Sequence, residues 1–147
     1  MLTEIHTLSA DEIDQAVAVW ESSVRATHHF ISEADIQIFK PLVRNGLESL
    51  EQRVAVHTLD GRVAGFLAAA NGKIEMLFIH PDWRGGGAGR RLLEHAIGIL
   101  GATWLDVNEQ NGQALGFYRR MGFEVVGRSE RDGLDKPFPL LHMRFQP

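Results

Sequence analysis

A glycine-rich segment between Ile79 and Arg90 carries the clearest chemical signal in this sequence of 147 residues. The segment contains Arg84, Gly85, Gly86, Gly87, Ala88, Gly89 and Arg90. Glycines allow several backbone N–H groups to converge on one point, and a helix that begins near Ala88 adds its dipole. The two arginines can add charge-assisted hydrogen bonds, so the segment predicts an anion site that suits a diphosphate.

Two other phosphate-binding motifs do not fit this segment. A Walker loop requires Lys and then Ser or Thr after its last glycine, and neither follows Gly89. In a dinucleotide fingerprint counted from Gly85 and Gly87, the third glycine position is occupied by Arg90. A ligand-free surface turn is the alternative for a bare run of glycines, but Pro81 and the amphipathic helix that follows favour a binding loop.

Four helices are predicted around this loop. Ser9 and Glu12 form a capping box before the first helix, and Ser32 caps a second helix that runs to about Leu50, with a kink or restart at Pro41. The helix after the glycine loop buries an apolar stripe formed by Leu92, Leu93, Ala96, Ile99 and Leu100. A short fourth helix spans Gln113–Met121 and ends at Gly122.

Strand patterns occupy the rest of the chain. Asp60-Gly61 and Asn71-Gly72 are hairpin turns, which join three strands into an antiparallel meander. A parallel crossover then leads from the strand at Ile74 to one ending at Val107. The pattern predicts a single α/β domain over residues 1–147, with a mixed, mostly antiparallel sheet of six or seven strands and helices on both faces. The strands are expected at Leu2–Leu8, Val54–Val56, Val63–Ala70, Ile74–Ile79, Thr103–Val107, Glu124–Arg128 and Leu140–Phe145.

Composition narrows the function classes. The formal net charge of −4 disfavours nucleic acid as a partner and favours a cationic amine or a lysine side chain. The absence of cysteine excludes a thiol nucleophile, and the histidines show no metal-ligand spacing, so no metal site is expected. The longest apolar run, Gly65–Ala70, is too short to span a membrane, which predicts a cytoplasmic protein.

Two blocks of this sequence resemble the GNAT superfamily of N-acetyltransferases. The first is Arg84-Gly85-x-Gly87-x-Gly89 after a Leu-x-Ile-x-Pro strand end, and the second runs from Asn111 through Phe117-Tyr118 to Gly122-Phe123. Further stretches, including 26–30, 107–111 and 127–141, look closest to the YjaB-like bacterial branch. The resemblance implies direct transfer of an acetyl group from acetyl-CoA to a primary amine within a ternary complex. The acceptor can be a protein lysine, an N-terminus or a small amine.

The same resemblance implies roles for individual cofactor-site residues. Backbone groups of Leu77, Phe78 and Ile79 would bind the pantetheine arm, with the amide of Phe78 or Ile79 favoured as the donor to the oxyanion. A bulge in this strand would splay it from the next strand. Asn111 would bond a pantetheine amide, although an N-cap is an equal alternative and both roles are compatible. Tyr118, the only tyrosine, would act as general acid towards the CoA thiolate, the alternative being a core tyrosine.

On the acceptor side, Glu75 is the candidate base or substrate anchor. Strand alternation predicts that it shares a face with Leu77 and Ile79, and a solvated strand-end acid is the alternative. His28 lies in the loop after the first helix, which lines the acceptor site in this family, and can relay a proton. A loop histidine satisfied by backbone or solvent is the alternative reading of His28.

Two other functions remain open from the sequence alone. One is a CoA-binding regulatory module with little catalysis, against which the presence of Tyr118 and Glu75 argues. The other is a toxin-type transferase acting on aminoacyl-tRNA, which would call for a basic face. The oligomeric state is expected to be a monomer or a homodimer.

Overall fold

The computed structural model describes residues 1–147 as one seven-stranded sheet with four α-helices. The helices are α1 (Ile13–Thr27), α2 (Glu33–Ser49), α3 (Ala88–His95) and α4 (Gly112–Arg120). The strands are β1 (His6–Thr7), β2 (Gln52–His57), β3 (Val63–Ala70), β4 (Lys73–Ile79), β5 (Trp104–Asn108), β6 (Phe123–Ser129) and β7 (Leu140–Phe145). None of the helices is both long and apolar enough to cross a membrane.

The strand order is β1-β2-β3-β4-β5-β7-β6. All neighbouring pairs are antiparallel except β4 and β5, which the β4–α3–β5 crossover makes parallel. The mixed, mostly antiparallel sheet and its single parallel crossover are therefore confirmed. The predicted hairpin turns also hold, since Gly61, Asn71 and Gly72 all have positive φ.

Two apolar cores cover opposite faces of the sheet. One packs α1 and α2 against residues such as Phe66 and Ala68, and the other packs α3 and α4 against residues such as Leu67 and Ala69. Strands between two cores are apolar on both sides. For this reason Val54, Ala55 and Val56 are all buried, with Ala55 in the core opposite to that of its two neighbours.

The structure differs from prediction at three further places. The first strand is reduced to His6–Thr7, with a single further bridge between Leu2 and Thr58. α2 continues through Pro41 without a restart. After α3 the chain forms a π-helical turn over Ala96–Leu100, and this wider turn rotates Ile99 away from the stripe that begins at Leu92. Ile99 is 73% exposed and does not belong to the core.

Candidate active site

β4 and β5 separate soon after they meet. Only Lys73↔Trp104 and Ile74↔Leu105 are paired, and beyond them the two strands diverge. The divergence follows a β-bulge, because Ala68 faces Met76 while Ala69 faces Ile74, which leaves Glu75 as the extra residue. A bulge bends its strand and strengthens the local twist, so the wedge-shaped gap begins at Glu75.

The register of β3 and β4 decides which backbone groups point into this gap. The amide of His80 donates to the carbonyl of Ala64 at 2.8 Å, and hydrogen-bonded pairs alternate with non-bonded pairs along an antiparallel ladder. Phe78 therefore exchanges its hydrogen bonds with Phe66 on β3. The N–H and C=O groups of Leu77 and Ile79 point away from β3, towards the open gap.

The glycine loop lies at the wide end of the gap. Gly85 has φ 77° and Gly87 has φ 87°, a conformation that favours glycine, and Gly87 is the N-cap of α3. A Cβ added at either position would meet no atom within 4 Å, so the strain there would come from the backbone alone. The loop thus turns the chain into the N-terminus of α3, where free N–H groups and the helix dipole favour an anion.

Between the loop and α4 lies a cavity of about 530 Å³, here named the main cleft. It is lined by the end of β4, by the last turns of α1, by the glycine loop and by α4. Nearly all cofactor-site residues predicted from the sequence line it, namely Leu77, Phe78, Ile79, Arg84, Gly85, Gly87, Ala88, Gly89, Arg90, Asn111 and Tyr118. Gly86 belongs to the same loop but does not line the cleft.

The two arginines of the loop make different contacts. The guanidinium of Arg84 donates from Nη2 to Ser23 Oγ at 3.0 Å and to the Ser23 carbonyl at 3.3 Å, which ties the loop to α1. Arg90 Nε pairs with Glu94 Oε1 at 2.7 Å on the exposed face of α3. Arg84 is therefore already engaged within the protein, and Arg90 is the more accessible cation.

A smaller cavity of about 100 Å³, here named the side chamber, adjoins the main cleft. Leu77, Phe78, Ala114 and Tyr118 line both cavities, while His28, Glu75 and Asp106 line the side chamber only. Tyr118 therefore stands where the two cavities meet, which is where a donor and an acceptor bound in separate cavities would react.

Tyr118 is only 9% exposed and packs edge-on between Phe117 and Phe123, with ring centroids 5.3 and 5.9 Å away. Burial raises the pKa of its phenol well above the ordinary value. The side chain is thus a core residue that also lines both cavities, so its burial is compatible with the general-acid role predicted from the sequence. It keeps its proton throughout the neutral range.

His28 and Asn111 hydrogen-bond to each other. Asn111 Oδ1 accepts from the amide of Ala114 at 3.2 Å as the N-cap of α4, which orients its Nδ2 towards His28 Nε2, also at 3.2 Å. Since the hydroxyl of Thr27 donates to the Ser23 carbonyl, it accepts from Nδ1–H of His28 at 2.9 Å. Burial, together with the positive charge of Arg84, lowers the pKa of His28 to about 4, so the ring is neutral.

Glu75 does not lie on the face predicted for it. Ile74, Leu77 and Ile79 pack against the core beneath α3 and α4. Glu75 instead pairs with Lys73 Nζ at 3.3 Å, on the opposite face. The bulge interrupts the alternation between Glu75 and Leu77, which simple period-two counting cannot anticipate. Glu75 nevertheless lines the side chamber.

Asp106, which lines the side chamber, belongs to a polar network that sequence reasoning missed. Lys73 Nζ lies 3.0 Å from Asp106 Oδ2, Asp106 Oδ1 lies 2.6 Å from His142 Nδ1, and His142 Nε2 lies 2.7 Å from Ser129 Oγ. Burial works against the charge of Asp106, but hydrogen bonds from His142 and Lys73 outweigh it and hold its pKa below the usual range. The sequence feature that could have indicated this network is the carboxylate of Asp106, which stands between the apolar and buried residues Leu105 and Val107.

Comparisons with known proteins agree with this geometry. Residues 9–146 match the acetyltransferase (GNAT) domain family. The peptidyl-lysine N-acetyltransferases YjaB of Salmonella typhimurium and Escherichia coli are each 43% identical, over 97% and 99% of this chain and 98% of their own length. The solution structure of apo YjaB from Escherichia coli has a TM-score of 0.89 at 39% identity, covering 99% of this chain and 97% of that one. A Thermoplasma acidophilum PaiA N-acetyltransferase in complex with coenzyme A shares the fold, with a TM-score of 0.73 at 21% identity over 99% of each chain.

Proposed function

Because the chain belongs to the GNAT family of acetyltransferases, we propose that it transfers the acetyl group of acetyl-CoA directly to the Nζ amine of protein lysines. The observation that carries this proposal is the position of Tyr118 at the junction of the main cleft and the side chamber. Two relatives named peptidyl-lysine N-acetyltransferases, each 43% identical over nearly the whole chain, support lysine as the acceptor.

Acetyl-CoA would occupy the main cleft. Its diphosphate suits the N–H groups of the glycine loop and the N-terminus of α3, with Arg90 as the accessible cation. Its pantetheine amides would pair with the free backbone groups of Leu77 and Ile79, as an added strand pairs with an open sheet edge. No metal ion takes part in this scheme.

The reaction needs one N–H donor for the oxyanion of the tetrahedral intermediate. The amide of Phe78, one of the two favoured from the sequence, is directed at β3, so we assign this role to Leu77 or Ile79. Of these two, Ile79 is the one that the sequence favoured. The amine nitrogen attacks the thioester carbon, and the C–S bond then breaks. The leaving thiolate takes its proton from the phenol of Tyr118, which burial keeps protonated. The phenolate regains a proton, directly or through water, from the attacking nitrogen, which must lose one to become the amide.

The lysine side chain would enter through the side chamber. Glu75 and Asp106 line this cavity with only Lys73 between them, which favours an incoming ammonium group. We assign to Glu75, on the exposed bulge, the capture of that ammonium and the removal of its proton, directly or through water. His28 is a poor alternative base because its Nε2 lone pair already accepts from Asn111.

A peptide panel tests this assignment. The protein and acetyl-CoA are incubated with three kinds of acceptor, and the products are identified by mass. The acceptors are peptides with one internal lysine and a blocked N-terminus, peptides with a free N-terminus and no lysine, and small polyamines. We expect acetylation of the lysine peptides and a loss of about 10–100-fold in rate for Tyr118→Phe. Acetylation of N-termini or polyamines alone would contradict the lysine assignment while leaving the acetyl-transfer assignment intact.

A further inference from the structure

One continuous chain of hydrogen bonds links the glycine loop, α1 and the N-cap of α4, which all line the main cleft. It begins at Arg84 in the glycine loop, whose Nη2 donates to Oγ and to the carbonyl of Ser23 in α1. It continues through the hydroxyl of Thr27, which donates to the same carbonyl at 2.9 Å and accepts from His28 Nδ1–H. It ends at Asn111, whose Nδ2 donates to His28 Nε2 at 3.2 Å.

The two ends of this chain belong to the two arms of the splayed sheet. Arg84 follows β4, and Asn111 follows β5 and caps α4, the helix that carries Tyr118. Beyond Ile74↔Leu105 no strand pairing joins these arms. The last turn of α1 therefore bridges a gap that the sheet itself leaves open.

We propose that Arg84, Ser23, Thr27, His28 and Asn111 form a hydrogen-bonded strap that sets the width of the main cleft and so positions the cofactor arm. In this arrangement His28 is a positioning residue that acts through Asn111, rather than a catalytic residue. The inference rests on the proposed use of the main cleft by CoA.

The hydrogen bonds of the strap require the neutral tautomer of His28 that carries its proton on Nδ1. Nδ1 must carry the proton for Thr27, and Nε2 must be bare to accept from Asn111, because Asn111 Oδ1 is already used by the amide of Ala114. A protonated ring would present a donor to the donor of Asn111. The low pKa of His28 agrees with this requirement.

Paired substitutions distinguish the effect of the hydrogen bonds in the strap from the effect of side-chain packing. Thr27→Val removes the central hydroxyl at nearly constant size, and Thr27→Ser keeps it. His28→Phe keeps a ring beside Phe30, whose centroid lies 5.3 Å away, but removes both hydrogen bonds, whereas His28→Gln restores an acceptor for Asn111. His29→Phe, at the exposed neighbouring histidine, is the matched control.

The dissociation constant of CoA is measured by calorimetry, with KM and kcat from steady-state assays. We expect Thr27→Val and His28→Phe each to weaken CoA binding about 5–10-fold, as the loss of roughly one hydrogen bond implies, with a matching rise in KM for acetyl-CoA. Thr27→Ser, His28→Gln and His29→Phe should stay within about twofold of the wild type, and kcat should change less than KM.

The decisive test is a double-mutant cycle between the two halves of the strap. If Arg84→Met, which removes both hydrogen bonds to Ser23, and His28→Phe act on one unit, the double variant weakens CoA binding less than the product of the single effects. Strictly multiplicative effects, or unchanged CoA affinity in variants that only lose thermal stability, would overturn the strap. Failure of the wild-type protein to bind CoA would instead overturn the proposed function.

Discussion

The half-buried, neutral His28 makes the stability of the protein depend on pH in a defined window. Its pKa is about 4 in the folded protein, against an ordinary value near 6.5. Between these values the unfolded chain binds a proton that the folded protein does not. The free energy of unfolding therefore falls as the pH drops from about 6.5 to 4, and this contribution is fully present above 6.5.

The size of the effect follows from the difference between the two pKa values. Each unit corresponds to about 1.4 kcal/mol, so His28 alone can remove roughly 3 kcal/mol of stability on going from pH 7 to pH 4. With an m-value of about 1–3 kcal/mol/M, this loss moves the midpoint of urea unfolding by roughly 1–3 M. Carboxylates whose pKa is lowered by ion pairs, such as Glu33 at about 2, lose their contribution at still lower pH.

Urea unfolding of wild type, His28→Gln and His29→Gln is measured from pH 4 to 7. The His28→Gln variant cannot titrate at this position, so the wild type should lose roughly 3 kcal/mol more than His28→Gln over this range. The exposed His29→Gln control should follow the wild type. Parallel curves for wild type and His28→Gln would refute the assignment of a neutral, half-buried His28. An imidazole NMR titration of His28 with a midpoint near 6.5 would refute it as well.

Three further predictions concern the proposed reaction. Gly87→Val should abolish the rise in Tm that saturating CoA produces. Gly61 has a similar positive φ and equally open surroundings but lies far from the cleft, so Gly61→Val should lose similar stability and keep the CoA response. Equal CoA responses in both variants would contradict a role for the loop. Tyr118→Phe should lower kcat about 10–100-fold at unchanged CoA affinity, and unchanged turnover from pH 6 to 9 would exclude the general acid. Glu75→Gln should lower kcat/KM for the amine at pH 7 and recover at high pH, and a constant ratio to wild type across the pH series would exclude Glu75 as the base.

Much of the fold could be predicted because its signals are local. The tight turns need positive φ, which Gly61, Asn71 and Gly72 adopt readily, and the Ser32 side chain accepts from the amide of Asp35 at the start of α2. Hairpins and helix starts could therefore be predicted from a few residues each. The glycine loop and the start of α3 at Ala88 were predicted for the same reason.

The features that escaped prediction depend on register or on distant partners. The bulge at Glu75 and the π-helical turn at Ala96–Leu100 each change the periodicity from which a face is assigned, and nothing in the neighbouring residue types demands them. The network around Asp106 joins β4, β5, β6 and β7, and the strap joins α1 to two separate loops. Such contacts appear only when elements far apart in the chain are assembled.

The bulge in β4 opens the gap between β4 and β5 but is not needed for packing the two cores. Ile74 and Leu77 face the same core although they are three residues apart, so a chain without Glu75 would place them two apart and satisfy both cores with regular pleating. Its β4 could then pair with β5 beyond Leu105, and the wedge between them would close. The difference between a binding cleft and a sealed sheet thus lies in the number of residues in one strand. Inserting or deleting one residue in β4 could therefore open or close the gap. A survey of substitutions at fixed positions would not detect such a change.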